Sequence, residues 1–309
     1  MLDPTRLHGI IPPICTPLTS EGAIDIPSVH NLIDYLLDNG VHGLFAFGST
    51  GECTSLTGQQ RKILLEAVLA AAKGRVPVLV GVMDTSTERC IEYGRAAKAA
   101  GADALVVAAP YYYRTTQAEI IEHFRRIHKT VGLPIMAYDI PATVIIKLEG
   151  ATIRQLYEEG VIIGLKDSSG VIDALRHTLL RMRGTDFRIF TGSELLVDLC
   201  LRMGAHGGVP GVANLFPAEF VRLYDLTQAG EWDSAARLQE RLLLCFYELI
   251  AQGDSRYSGM SSALGGFKSG LKQKGVIRST RVAEPLQSFG AVEEERVAEA
   301  MRRHGFLYS

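Results

Sequence analysis

Cysteine is scarce in this sequence, and apolar runs long enough to cross a membrane are absent. The five cysteines among the 309 residues lie far apart and form no C-x-x-C pair, which fits a reducing compartment and argues against a disulfide framework. The N-terminus lacks the apolar core of a signal peptide, and no apolar run approaches the roughly 18 residues of a membrane span. We therefore expect a cytoplasmic protein that makes no contact with a membrane.

A surplus of charge of either sign is also missing. The chain carries 32 basic and 34 acidic side chains, for a formal net charge of −2, so the balance does not favour binding to nucleic acid. The eight histidines include no H-E-x-x-H motif, and no His, Cys and carboxylate side chains recur at metal-ligand spacing, so we expect no metal. Three lysines near the C-terminus are interpreted as a solvated helix end: Lys268, Lys272 and Lys274.

The sequence does contain a series of short apolar segments, spaced as alternating strands and helices require. These segments are residues 10–16, 43–47, 77–81, 104–108, 134–138, 161–165, 188–191 and 207–211. Helical periodicity fills the intervals. Residues 29–37 place their apolar side chains on one face, and Thr57 with Gln60 has the spacing of a capping box.

This pattern predicts an α/β protein built on a (β/α)8 TIM barrel. Strands that do not alternate apolar and polar residues, each followed by a helix, are typical of a covered parallel sheet, and eight such units in about 200 residues match a barrel. The alternative, a doubly wound open sheet, favours a G-x-G-x-x-G turn after the first strand, which is lacking. Beyond about residue 228 only helical periodicity continues, so we assign residues 1–227 to the barrel and 228–309 to a C-terminal helical extension.

The C-terminal ends of barrel strands carry the active site, and in this sequence they hold one amine and several phenols. Lys166 follows the sixth apolar segment, where an amine removed from water can attack a carbonyl and form a Schiff base. A lysine that reaches solvent or pairs with Asp167 is the plain alternative. Tyr138 ends the fifth segment and is interpreted either as a proton-transfer group or as a buried packing residue.

Two further segments lie at strand ends. The turn GSTGE at 48–52 offers backbone N–H groups and two hydroxyls that suit a carboxylate or phosphate, although an ordinary connection explains it equally well. It lacks the Gly-Lys-Ser/Thr ending of a P-loop. The three tyrosines at 111–113 are compatible with a site or with an aromatic subunit contact.

Taken together, four motifs occur in order along the chain: GSTGE at 48–52, PYY at 110–112, Y-x-I-P at 138–141 and GLKDSSG at 164–170. With them, the chain resembles the dihydrodipicolinate synthase / N-acetylneuraminate lyase family of class I, Schiff-base pyruvate lyases. The resemblance covers nearly the whole chain. It implies a TIM barrel, a small 2-oxo acid substrate, and chemistry that needs no metal or organic cofactor.

The resemblance implies catalytic roles for four residues. Lys166 corresponds to the imine lysine, and Tyr138 to the tyrosine that moves protons to and from the substrate. Ser49 corresponds to a hydroxyl of the proton relay. Tyr112 corresponds to a relay tyrosine that a neighbouring subunit supplies in many members, which implies a homo-oligomer, a dimer or tetramer. Asp139 departs from the family's usual asparagine beside the catalytic phenol.

Substrate-binding positions follow in the same way. Thr50, with the backbone of the turn that includes Gly51, corresponds to the site for the pyruvate carboxylate, and Gly192 and Val209 correspond to positions that line the pyruvyl pocket. Thr143 stands where the synthases carry a substrate-binding arginine. The missing arginine shifts the expectation from the synthases toward lyases of sugar acids.

We therefore expect a lyase that reversibly cleaves a 2-keto-3-deoxy sugar acid, or a related 4-hydroxy-2-oxo acid, to pyruvate and an aldehyde. The alternative within the family is a 4-hydroxy-tetrahydrodipicolinate synthase, which condenses pyruvate with aspartate semialdehyde. A catalytically silent barrel that binds a metabolite is a third possibility. The retention of both Lys166 and Tyr138 argues against it.

Overall fold

The computed structural model describes residues 2–307, and its centre is one eight-stranded parallel sheet. The strands in chain order are β1 (Gly9–Ile10), β2 (Leu44–Ala46), β3 (Val78–Gly81), β4 (Ala104–Ala108), β5 (Ile135–Asp139), β6 (Gly164–Asp167), β7 (Arg188–Thr191) and β8 (Gly207–Gly208). Each strand from β2 to β7 pairs with the strand that follows it in the chain, and β8 also pairs with β1. A parallel bridge between Pro13 and Phe45 joins β1 to β2 and completes the ring. The predicted TIM barrel is confirmed.

The first strand is shorter than the predicted segment 10–16 because two prolines interrupt it. Pro12 and Pro13 have no N–H to donate to a ladder. Two hydrogen bonds maintain the contact with β2. The Phe45 N–H donates to the Pro12 carbonyl at 3.0 Å, and the Ile14 N–H donates to the Phe45 carbonyl at 2.9 Å. The ring therefore closes by isolated hydrogen bonds rather than by a continuous ladder.

A helix follows every strand, and between β8 and its helix a short 3-10 turn intervenes at Gly211–Asn214. The helices are α1 (Ile26–Asp38), α2 (Gly58–Ala72), α3 (Thr87–Ala100), α4 (Gln117–Val131), α5 (Pro141–Val144), α6 (Gly150–Glu158), α7 (Ile172–Arg181), α8 (Val197–Arg202) and α9 (Pro217–Gln228). The predicted capping box begins α2: the Gln60 N–H donates to the Thr57 hydroxyl at 3.2 Å, and the Thr57 N–H donates to the Gln60 side chain at 2.8 Å. Burial of the strands leaves only their C-terminal ends to meet a ligand.

Glycine allows the closest strand contact in the ring. A Cβ at Gly207 would lie 1.9 Å from the Gly9 carbonyl oxygen, a distance that no side chain tolerates. The weak apolar segment 207–211 is thus a strand whose glycines let β8 approach β1. The predicted segment 161–165 begins three residues too early, because the paired residues of β6 run from Gly164 to Asp167.

Three helices follow the barrel: α10 (Trp232–Ile250), α11 (Gly259–Gln273) and α12 (Ala291–Arg303). The predicted division at residue 227 stays a prediction, since α9 and α10 are joined directly and pack on each other. None of the helices between residues 2 and 307 is long and apolar enough to cross a membrane.

The interpretation of the three C-terminal lysines as a solvated helix end is wrong for Lys268. Its side chain is 0% exposed and forms an ion pair with Glu52, 2.5 Å from amine to carboxylate. Lys272 does lie at the surface, where it pairs with Glu294 at 2.8 Å, and Lys274 is half-buried. The local sequence around the three lysines could not reveal that Lys268 is buried, because its partner Glu52 lies 216 residues away in the chain.

Candidate active site

Lys166 and Tyr138 lie side by side at the C-terminal ends of neighbouring strands. The two residues are direct partners in the register of β5 and β6, so their side chains point to the same face of the sheet. The Lys166 amine lies 4.2 Å from the centre of the Tyr138 ring and 4.9 Å from that of Phe45. Lys166 is 5% exposed and does not extend into solvent, unlike the plain alternative considered from sequence.

These two side chains open into a cavity of about 350 Å³, here called the catalytic cavity. Six of the nine site residues expected from sequence line it: Ser49, Thr50, Tyr138, Lys166, Gly192 and Val209. They come from strands β2, β5, β6, β7 and β8 or from the residues just after them. A ligand in this cavity would meet the amine, the phenol and two hydroxyls together.

Gly192 makes room for the side chains of Ser168 and Lys166. A Cβ at this position would lie 1.9 Å from the Ser168 hydroxyl and 3.0 Å from Cε of Lys166. Its backbone N–H donates to the Asp167 carbonyl at 2.7 Å, which holds the end of β7 against β6. A side chain at this position would displace the Ser168 hydroxyl first and would also crowd Lys166.

The turn at 48–52 is tightened by its own backbone. The Gly51 N–H donates to the Gly48 carbonyl, and the Glu52 N–H donates to the Ser49 carbonyl, both at 3.0 Å. Thr16 donates its hydroxyl to the Gly51 carbonyl at 2.7 Å. Gly51 is thus buried behind the cavity, its amide engaged within the turn, while Ser49 and Thr50 face the cavity.

Thr143 lines a second cavity of about 500 Å³ that shares Ser49, Tyr138, Ile140 and Met260 with the first. It is exposed, and its hydroxyl donates to the Ile140 carbonyl at 3.2 Å. Tyr138 and Ser49 therefore stand between the two cavities, and Thr143 lies on the far side of Tyr138 from the catalytic cavity.

Tyr112 lines neither cavity. It is 75% exposed, and its ring meets that of Tyr113 edge-to-face with 5.1 Å between centres. Its φ of 83° lies in the left-handed region, which is rare for an aromatic residue. Within one chain the structure does not bring Tyr112 to Lys166, and its relay role stays a prediction.

Comparison with known proteins identifies the family. A family model described as the Dihydrodipicolinate synthetase family matches residues 6–303. The chain belongs to this family. The resemblance stated from the motifs is thereby confirmed, and the family consists of class I Schiff-base, pyruvate-dependent lyases and synthases.

Individual members of the dihydrodipicolinate synthetase family are similar over most of the chain. The 4-hydroxy-tetrahydrodipicolinate synthase of Methylobacterium radiotolerans is 34% identical over 250 residues, covering 81% of this chain and 83% of its own. The structure of dihydrodipicolinate synthase from Bacteroides thetaiotaomicron has a TM-score of 0.92 at 34% identity, covering 98% of this chain and 100% of its own. A prophage protein of the family from E. coli K12 was solved in complex with pyruvate. Its structure has a TM-score of 0.89 at 29% identity, and the match covers 97% of this chain and 99% of its own.

Asp139, the departure from the family's usual asparagine, points away from the catalytic cavity. Its carboxylate accepts a hydrogen bond from the Leu148 N–H at 3.0 Å and pairs with the Lys147 amine. Burial raises the pKa of this carboxyl, and the contact with Lys147 opposes the shift. The Asp139 carboxylate is thus engaged with the connection between α5 and α6.

Glu194, Met260 and Glu52 are among the residues of the site that sequence reasoning missed. Glu194 lines the catalytic cavity, accepts a hydrogen bond from the Gly211 N–H at 2.7 Å, and has its pKa raised by burial. Met260, at the start of α11, lines both cavities, so the C-terminal extension contributes to the site. Glu52, the last residue of the turn, pairs with Lys268 of the same helix. Glu194 could have been found from its place two residues after Gly192. No local feature of the sequence links Met260 to the site.

Residues 2–307 contain no group of three or more His, Cys, Asp or Glu side chains placed to hold a metal ion.

Proposed function

We propose that the protein is a Schiff-base enzyme in which Lys166 forms an imine with pyruvate and a carbon–carbon bond is then made or broken. The observation that carries the proposal is the position of the Lys166 amine, 4.2 Å from the Tyr138 ring and inside the catalytic cavity. A buried amine and a neighbouring phenol together supply the nucleophile and the proton-transfer group that this chemistry needs. A silent metabolite-binding barrel would not require this pair.

The proposed reaction begins when the Lys166 amine attacks the 2-oxo carbon, and loss of water gives an iminium. In the cleavage direction Tyr138 takes the proton of the C4 hydroxyl, the C3–C4 bond breaks, and its electron pair moves into an enamine of pyruvate. Protonation of C3 and hydrolysis of the iminium release pyruvate and restore the amine. Condensation is the reverse of these steps.

Substrate binding is assigned to the turn and the neighbouring strand ends. We assign the pyruvate carboxylate to the hydroxyls of Ser49 and Thr50, since the Gly51 N–H already donates to Gly48. Ser49 also stands between the two cavities, which suits a proton relay. Gly192 and Val209 border the pyruvyl group in this arrangement.

Two second substrates are candidates. The name 4-hydroxy-tetrahydrodipicolinate synthase, carried by curated relatives at 30–34% identity, favours condensation of pyruvate with aspartate semialdehyde. Thr143, which supplies no guanidinium, favours cleavage of a 2-keto-3-deoxy sugar acid or a related 4-hydroxy-2-oxo acid. The comparisons support the synthase better than the sugar-acid lyase that the sequence led us to expect.

The imine is tested by trapping with pyruvate and borohydride, followed by intact mass and peptide mapping. We expect a reduced pyruvyl adduct on Lys166 and none in Lys166→Ala. Lys166→Arg should fail as well, because a guanidinium stays protonated and is not a nucleophile. The control is Lys62→Ala on the outer groove between α2 and α3, which should trap normally. An adduct or turnover in Lys166→Ala would exclude the proposal.

Assembly and location complete the proposal. Exposure of Tyr112 and Tyr113, 75% and 76%, supports a homo-oligomer, a dimer or a tetramer, in which a second subunit covers these rings. All five cysteines are free and buried, which supports the cytoplasm as the compartment. Residues 1–227 and 228–309 are proposed as barrel and extension.

A further inference from the structure

We propose that the aldehyde that reacts with the pyruvyl group on Lys166 is uncharged and carries an aliphatic or aromatic group. This inference rests on the imine of the proposed function, and it departs from both second substrates considered there, aspartate semialdehyde and the aldehyde of a sugar acid. It starts from the outer wall of the catalytic cavity. Five apolar side chains form that wall: Val171, Ile172, Leu175, Leu196 and Met260.

Separate parts of the chain converge to build this wall. Val171 and Ile172 begin α7, Leu196 directly precedes α8, and Met260 comes from α11. Val171, Ile172 and Met260 are 39%, 37% and 38% exposed, although each borders the cavity. Apolar side chains left partly exposed around a concave site are typical of surfaces that a ligand covers. An apolar group on the aldehyde would remove them from water.

The charges of the two cavities point the same way. Among the residues of 2–307 that line either cavity, Lys166 is the sole cationic side chain. The lining acids are Asp167 and Glu194 in the catalytic cavity and Glu52, already paired with Lys268, in the second. The iminium of Lys166 is balanced by the carboxylate of its own pyruvyl group. A second carboxylate, on the aldehyde, would find no further ammonium or guanidinium in the part of either cavity that its own chain lines, and these groups are its usual partners.

The bond-forming step needs no charge on the aldehyde. The enamine carbon C3 attacks the aldehyde carbon, the carbonyl electron pair moves to oxygen, and that oxygen takes the proton of the Tyr138 hydroxyl. Water then hydrolyses the iminium to a 4-hydroxy-2-oxo acid and the free Lys166 amine. Specificity for the aldehyde therefore depends on what surrounds its remaining atoms. The apolar wall is the part of the lining that would cover an aliphatic or aromatic group.

The experiment compares condensation of pyruvate with butanal and with 4-oxobutanoate, which share a four-carbon chain and differ in a terminal carboxylate. Glyceraldehyde and aspartate semialdehyde complete the panel, and product formation is followed by mass spectrometry. We expect kcat/KM for butanal to exceed that for 4-oxobutanoate by about tenfold or more, as expected when a carboxylate lacks one charge-assisted contact. Equal or better use of 4-oxobutanoate or of aspartate semialdehyde, which both carry a carboxylate, overturns the inference. Tenfold better use of glyceraldehyde than of butanal, or failure to turn over butanal, does so as well.

A variant tests the role of the wall directly. Ile172→Arg adds a guanidinium at its partly exposed rim and should raise kcat/KM for 4-oxobutanoate relative to butanal by about tenfold; Ile172→Leu should leave the ratio unchanged. Borohydride trapping of pyruvate on the same preparation separates the two proposals. Without an adduct on Lys166 the proposed function itself fails, whereas an adduct together with a preference for anionic aldehydes removes only this inference.

Discussion

At Tyr138 a single hydroxyl distinguishes a packing residue from a proton-transfer residue. The ring packs edge-to-face on Phe45, 6.2 Å between centres, and lies beneath the Lys166 amine. Phenylalanine would keep both contacts, because neither uses the hydroxyl. The side chain is 3% exposed, so its packing contributes to the core of the barrel in either case.

Tyr138→Phe should therefore leave the fold intact and remove the proton-transfer step. We expect kcat to fall by roughly 10² to 10⁴, the usual contribution of a general acid or base, while pyruvate is still trapped on Lys166. Steady-state kinetics with and without borohydride trapping provide the measurement. Tyr157→Phe on α6, which removes a hydroxyl that donates to Asp186, is the matched control. A kcat unchanged from that of the parent enzyme would assign Tyr138 to packing alone.

At the scale of elements, α11 is tied to the turn at 48–52 by one buried ion pair. The Lys268 amine lies 2.5 Å from the Glu52 carboxylate, with both side chains 0% exposed, and also donates to the Arg281 carbonyl at 2.6 Å. The second carboxylate oxygen of Glu52 accepts from the Ala283 N–H. Removing one partner would leave the other charged in the protein interior, where its desolvation is not compensated.

Lys268→Met should lower the free energy of unfolding by about 3–5 kcal/mol, the range for breaking a buried pair. Glu52→Gln together with Lys268→Met should cost less than the sum of the two single changes, because no unpaired charge remains. Urea denaturation at one protein concentration measures all three. Lys272→Met on the same helix, whose pair with Glu294 is partly exposed, should cost no more than about 1 kcal/mol. Equal losses for Lys268→Met and Lys272→Met would refute the buried-pair argument.

Elements were predictable where a local pattern decides them and less so where distant residues do. Segments such as 104–108 and 188–191 coincide with β4 and β7, because continuous apolar runs bounded by helices leave little choice. The helix α11 was given no bounds from the sequence beyond the helix end assigned to its lysines: four glycines among its 15 residues lower helix propensity, and packing against the barrel provides the stability instead. Lys166 and Tyr138 were identified from strand ends and motifs, whereas Met260 joins the site only through tertiary packing.

At the scale of the whole molecule, an aromatic surface is left uncovered. Tyr112 and Tyr113 are 75% and 76% exposed, and Ile145 is 48% exposed. Large apolar side chains grouped on a surface are typical of subunit contacts. Tyr112 is also held at a φ of 83°, and backbone strain of this kind costs of order 1–3 kcal/mol and concentrates at functional sites. Both features fit a tyrosine that one subunit supplies to another.

Sedimentation velocity should therefore find a species of at least twice the chain mass of 33.7 kDa, and closed two-fold symmetry is the simplest arrangement. Tyr113→Glu places a carboxylate in the proposed contact and should shift the protein toward the monomer with a loss of kcat. Tyr112→Phe keeps the ring, so it should preserve association and lower kcat if its hydroxyl serves the relay of the neighbouring subunit. The two variants thus separate assembly from proton transfer. A 33.7 kDa monomer with full activity would show that one chain completes the site by itself.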